Sequence, residues 1–185
     1  GSNVTSGWLG AVVGGFSHST SGQNSVITGG IDNSANGYAS AVNGGSNNTA
    51  DDNYSAVAGG SYNDANQDYT WIGGGDGNYA NGTYASIQGG QENDALDDYS
   101  SVASGRWNTA STYDYTSVVG GVSNTSAAYS SVVNGGSTNS TSGGWSYETV
   151  IGGYNNIAGR FGGFDGNYAV VVGGGVTAGG APAGG

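Results

Sequence analysis

The chain has 185 residues, of which 40 are glycine, one is proline and none is cysteine or methionine. Thirteen acids stand against two basic residues, and the net charge of −11 repels nucleic-acid phosphates and anionic lipid, so neither is expected as a partner. The lack of cysteine excludes disulfides, thiolate metal sites and cysteine nucleophiles, and without an apolar run of bilayer length no membrane insertion is expected.

Gly1 to Thr20 reads as an imperfect first copy of a repeat. Val12-Val13-Gly14-Gly15 has the aliphatic-Gly-Gly form that recurs later, and His18 stands where later copies carry asparagine. Residues 1–24 are therefore expected to form an irregular capping or subunit-docking coil. From Ser25 the register is strict. Asn33, Asn48, Asn63, Asn78, Asn93 and Asn108 fall at intervals of fifteen, each followed two places later by alanine, from Ala35 to Ala110. Ile27, Val42, Val57, Ile72, Ile87 and Val102 keep the same step in a second phase, and Tyr54, Tyr69, Tyr84 and Tyr99 in a third. After Ala110 an extra residue precedes Asn124, Asn139 follows on step, and a longer loop through Trp145 delays Asn156. Residues 25–158 form the repeat proper. Residues 159–185 are expected to make an irregular last coil and a Gly-rich tail.

So much glycine suits a disordered low-complexity chain, but a strict period with recurring Val, Ile and Tyr argues for pleated structure. Fifteen residues is too short for a helix pair, and each glycine would cost a helix about 1 kcal/mol. Two short strands and two tight turns fit. Asn36-Gly37, Asn43-Gly44, Asn81-Gly82 and Asn134-Gly135 are expected to supply the positive φ of those turns. The predicted fold is an all-β, homomeric parallel β-solenoid of about 15 residues per coil. About eleven coils stacked at about 4.8 Å give a rod on the order of 50 Å long.

Alternation along the strand assigns the faces. Ser55 with Val57, Ala85 with Ile87, and Ser100 with Val102 point inward, as do the asparagine and alanine of Asn-x-Ala. The amides of Asn33, Asn48, Asn63, Asn78, Asn93, Asn108, Asn124 and Asn139 then stack as a structural ladder, bonding from coil to coil. An interior of Val, Ile, Ala and Ser buries little apolar surface at about 25 cal/mol per Å². Ordering the backbone costs about 1–2 kcal/mol per residue, so packing against sister chains is expected. The outward aromatics Tyr54, Tyr69, Trp71, Tyr84, Tyr99, Tyr115 and Tyr129 are the candidate chain–chain or ligand contacts.

Tyr54-Ser55-Ala56-Val57-Ala58-Gly59, Tyr99-Ser100-Ser101-Val102-Ala103-Ser104-Gly105 and Tyr115-Thr116-Ser117-Val118-Val119-Gly120 resemble head repeats of trimeric autotransporter (YadA-like) adhesins, and related repeats occur in phage tail fibres. The resemblance covers about Val12 to Ala158. It implies a left-handed parallel β-roll, three chains side by side, and adhesion at a cell or virion surface. The chain departs from that pattern in its longer step, its preference for Gly-Gly and Tyr, and the lack of a coiled-coil stalk or membrane anchor within its 185 residues.

Few groups suit catalysis, and no enzyme is expected. His18 is the only histidine and reads as a ladder member, since a base needs a placed partner. The pairs Asp51-Asp52 and Asp97-Asp98 read as solubilising loop charges. No cofactor is required. Calcium is the one metal with a sequence argument, through Asp76, Asn78, Asp165 and Asn167 in Gly-rich turns, because hard cations take oxygen ligands; Asx-turns explain the same residues. The position after each ladder asparagine is too mixed for the flat threonine array of an ice-binding surface. The expected function is an extracellular structural or adhesive fibre, at a cell or virion surface, assembling with itself as a trimer or filament and meeting a host-cell glycan or protein receptor. A phage tail-fibre receptor-binding segment is the alternative, ahead of an ice-binding module or a polysaccharide depolymerase.

Overall fold

The computed structural model describes residues 2–144, 147–159, 168–174 and 177–179. Up to Val118 the regular elements are two-residue strands, and strands of three to five residues appear from Thr125 on. The x-Ala of each Asn-x-Ala makes one, as in Ser34–Ala35, Thr49–Ala50 and Asp64–Ala65. The pair ending on the aliphatic makes the other, as in Ala41–Val42, Ala56–Val57 and Trp71–Ile72. Like strands stack on like, giving one 12-stranded and one 11-stranded sheet, parallel throughout and in register. The chain is a parallel β-solenoid.

A third line of contact, of single parallel bridges, runs from Phe16 through Ile31 and Ser46 to Tyr154. The coil therefore has three pairing sides where the sequence suggests two. One bridging residue per coil leaves no alternating pattern to detect.

The inward positions fall where alternation puts them. Ile27, Val42, Val57 and Ile72 and the alanines Ala35, Ala50, Ala65 and Ala80 are fully buried in one continuous core, with Ser55 and Ser100 beside them. In the strands, backbone N–H groups donate to the following coil, as from Ala56 to Thr70 O at 2.9 Å. Twice per coil a non-glycine residue, or Gly77 in its place, enters the left-handed region and its N–H turns back. Tyr54 (φ 58°) donates to Tyr38 O at 2.8 Å, and Tyr62 (φ 55°) to Ser46 O at 3.0 Å. The N–H after the second reversal points into the interior, where no carbonyl waits. A ladder amide receives it: Asn63 N–H donates to Asn48 Oδ1 at 3.0 Å, and Asn78 N–H to Asn63 Oδ1 at 3.1 Å. The same amide's Nδ2 donates to Gly59 O and Gly75 O, both at 3.0 Å. Each asparagine thus satisfies backbone groups of its own coil and of the next. The second glycine of each pair makes room for this. At Gly60 (φ 89°) a Cβ would collide with Gly75 O, besides sitting in a conformation that disfavours side chains.

Three expectations need correction. Tyr54, Tyr69, Tyr84, Tyr99 and Tyr115 do point outward, but from left-handed turn positions rather than from strands, because the strands there are only two residues long. Gly44 (φ 146°) and Gly135 (φ 129°) have the expected positive φ, whereas at Asn36-Gly37 and Asn81-Gly82 the left-handed residues are Ala39 (φ 53°) and Tyr84 (φ 61°). Gly37 serves close approach instead, since a Cβ there would strike Asp52 O. The first coil is also regular, with Val4 paired to Ser19 and Ala11 to Val26. Near the other end Thr177–Gly179 pairs with Ile157–Gly159, while residues 180–185 of the expected tail lie outside those described.

His18 occupies its ladder slot, buried, with Nδ1 accepting the Asn33 N–H at 3.1 Å. Its own N–H donates to Asn3 Oδ1 at 3.0 Å, which makes Asn3 the first ladder member. Its Nε2 is buried without a partner. We predict that His18→Asn, by restoring two amide-to-carbonyl bonds, stabilises the rod by about 1–2 kcal/mol; a lowered thermal midpoint would contradict this. Asn63→Ala should cost about 3 kcal/mol or more in urea titration, because it strands Asn78 N–H and Gly59 C=O.

Candidate functional site

The left-handed turn ahead of each aliphatic strand throws its side chain clear of the rod. Where that residue is tyrosine the rings stack. Tyr54, Tyr69, Tyr84, Tyr99 and Tyr115 have successive centroid separations of 5.0, 4.7, 5.1 and 4.9 Å and interplanar angles of 6–8°. The coil repeat imposes this spacing. Tyr38 closes one end edge-on at 5.4 Å; Tyr129 meets Tyr115 edge-on at 5.8 Å and Tyr147 at 6.0 Å, and Tyr147 stacks on Tyr168 at 5.2 Å. The six candidate tyrosines thus come together in one row. The rings of Tyr147 and Tyr168 extend it, beyond a change of loop length that hides them from a fifteen-residue register.

Stacking decides what the row can offer. Each ring face inside the stack is covered by its neighbour, so the exposed part is a strip of ring edges and hydroxyls, with Tyr54 and Tyr99 each 48% exposed. Stacking of a ligand such as a sugar on these faces is closed off within the row. Partial burial, then the phenols of Tyr84 and Tyr54 and the Asp68 carboxylate, push the Tyr69 phenol above its ordinary range; burial followed by Tyr99 does the same at Tyr115. At these two positions the shift favours the neutral phenol. Trp71 lies elsewhere, exposed on the outer face of the aliphatic-strand sheet between Ala56 and Ser86. Trp145 lies outside the described residues.

Acids beside the row brace its turns. Asp68 Oδ1 accepts both the N–H and the Nδ2 of Asn53 at 3.0 Å, and Asp98 Oδ1 accepts the Thr83 N–H at 2.9 Å. Asp51 accepts from Asn36 Nδ2 at 2.8 Å. These bonds give Asp51, Asp68 and Asp98 a structural task in the loops. Of the calcium candidates, the two described, Asp76 and Asn78, do not converge. Asn78 is fully buried, and its Oδ1 faces two donors, the N–H and Nδ2 of Asn93, both at 3.1 Å, so their positive ends point where a cation would sit. Asp76 is exposed on the bridge side. Asp165 and Asn167 lie outside the described residues, and among those described no group of three or more His, Asp or Glu is placed to hold a metal.

Comparison with known proteins adds no family: no protein-family model and no curated protein sequence matches the chain. The fold defines its class, a parallel β-solenoid repeat protein, and function is argued from that geometry.

Three carboxyls are pushed up from the ordinary range. Burial does this at Asp94; burial then the Asp51 charge at Asp64; burial then the charges of Asp68 and Asp51 at Asp52. Asp64 Oδ1 is also buried without a hydrogen bond. A carboxyl whose folded pKa exceeds its unfolded value near 3.8 favours the folded state when protonated. That contribution is complete below 3.8 and lost as pH rises through the raised folded values. The thermal midpoint should therefore rise as pH falls from 7 toward 4. Asp64→Asn should raise the midpoint at pH 7 and flatten the dependence, and a midpoint that falls over this range would contradict the assignment.

Proposed function

We propose that the chain is a non-enzymatic extracellular structural or adhesive fibre protein that assembles with copies of itself and contacts cells, glycans or surfaces through its exterior. The tyrosine row carries this reading. Four stacking intervals from Tyr54 to Tyr115 make a straight strip of apolar ring edges with a hydroxyl at each step. A thin core of Val, Ile and Ala supplies limited hydrophobic stabilisation, and removing that strip from water against a neighbouring rod adds to it. Trimeric packing, as in the adhesin heads that the Tyr-Ser-x-Val phrases resemble, places such strips between chains; an end-to-end filament is the other arrangement consistent with a stack of parallel coils. The same reading holds at a cell surface or, for a tail-fibre segment, at a virion surface.

The interior supports a non-catalytic role. Its amides are spent on backbone groups, and hydroxyls such as Ser55 and Thr70 donate to turn carbonyls three residues earlier. Sedimentation and electron microscopy of the native protein test the proposal. The expected result is an oligomeric mass, reduced toward a single chain by Tyr69→Ser, Tyr84→Ser and Tyr99→Ser combined, with the coil intact by circular dichroism. A single-chain mass at every concentration up to the solubility limit overturns it.

A further inference from the structure

In a stack of like coils each column of side chains is its own control, so a residue that departs from its column for no packing or backbone reason marks something beyond folding. The bridge-side turn column contains Asn47, Tyr62, Gly77, Glu92, Trp107 and Ser123, all in the left-handed region. Gly77 (φ 65°) is the exception without a side chain. Nothing in the packing requires it, since a Cβ there would meet only Glu92 Cγ, at 3.4 Å. The conformation does not require it either, because tyrosine and tryptophan adopt it one and two coils away.

The missing side chain opens a depression of about 310 Å³ lined by Gly77, Glu92, Asp94, Trp107 and Thr109. That is near the lower end of the roughly 300–1,000 Å³ typical of small-ligand sites. Its walls are held in advance. Trp107 Nε1–H donates to Glu92 Oε2 at 2.6 Å, and the Arg106 guanidinium lies 4.0 Å from the Trp107 ring centroid. Arg106 packs on the indole without lining the depression, whereas Trp107 does line it. Asp94 and Thr109 are adjacent outward residues of neighbouring strands and form the floor.

We propose that this depression is a subsite for one sugar unit of a non-anionic glycan, stacked on Trp107, with Glu92 and Asp94 accepting its hydroxyl or amino protons and Thr109 completing the set. The inference deepens the reading of the rod's exterior as a contact surface and rests on it. An apolar ring face beside a few fixed polar groups suits a sugar, which has C–H faces and a rim of donors. Asp94 accepts no hydrogen bond from the described residues, and burial already disfavours its charged form, so donors from a ligand would satisfy it. Two carboxylates in a chain of net charge −11 reject sialylated or sulfated sugars.

The test is an array of neutral, amino-bearing and sialylated oligosaccharides probed with the native protein, followed by titration of the best binder against variants. Neutral or amino-bearing glycans should be retained and sialylated ones should not. Gly77→Tyr, which fills the depression with a side chain the column accepts at Tyr62, should weaken binding at least about tenfold. Its thermal midpoint and sedimentation should match the unaltered protein. Trp107→Ala should weaken binding as much. Retention of no neutral or amino-bearing glycan, preference for sialylated glycans, or unchanged affinity in Gly77→Tyr each overturns the subsite. Self-association is read separately by sedimentation, so loss of the subsite and loss of the assembly reading are distinguishable.

Discussion

A parallel stack of coils has a hydrogen-bonding difficulty that an antiparallel sheet lacks, and the ladder asparagine resolves it. To close a coil in fifteen residues the chain must turn sharply, and here two residues per coil, non-glycine except at Gly77, enter the left-handed region besides the second glycine of each pair. Each of these two passages reverses the direction of an N–H. At the second, the following N–H is left aiming inward and backward, in a core too narrow for water. A buried N–H without an acceptor costs about 1–3 kcal/mol, and the cost would recur in every coil. A side chain must therefore bring an acceptor for the coil after it and donors for the carbonyls around it. Asparagine does both in one planar group, and His18 shows the limit of substitution: its ring supplies the acceptor, but its second nitrogen finds no partner.

From that constraint follows a division between inside and outside. Inward columns are tied to backbone groups and to a narrow cross-section that takes Val or Ile opposite Ala, with Thr20, Ser126 and Thr141 as small replacements for alanine, so they repeat. Outward columns carry no such obligation, and the same position holds Thr49, Asp64, Tyr79, Asp94 and Thr109 in successive coils. Identity inside reports the fold. Departure outside reports what the rod meets. The tyrosine row is intermediate, an outward column that repeats, and repetition there has no interior reason.

This division explains which features the sequence disclosed. Asn33 to Asn139 and the aliphatic and alanine series were legible because interior columns survive translation by fifteen residues. The tyrosines were legible as outward residues but not as turn residues: alternation was extended past a strand that is two residues long, and left-handed tyrosine runs against ordinary preference. Asn36-Gly37 misled for the converse reason, since its glycine serves close approach and Ala39 carries the positive φ. The depression at Gly77 was hidden among cation-binding possibilities for residues 74–78, because glycine in an Asp-Gly-Asn phrase reads as turn chemistry. The signal that would have found it is comparative: Gly77 stands in a column where Tyr62 and Trp107 show that no glycine is needed.

The two outward features differ in the kind of partner they can select. A strip of ring edges repeating every 4.7–5.1 Å is matched along its length only by something with the same period. A globular receptor has no such period, and a ligand touching one ring would gain nothing from the next four. A second copy of this chain carries the period by construction, because its coils are spaced by the same backbone hydrogen bonds. The depression beside Trp107 has the opposite character. It depends on one glycine, one indole and two carboxylates that do not recur together, so translation by a coil destroys it. Periodic surface thus suits assembly and aperiodic surface suits recognition, and a rod that carries both can hold its copies together along the tyrosine edge while each copy presents the same single notch at a fixed height along the fibre.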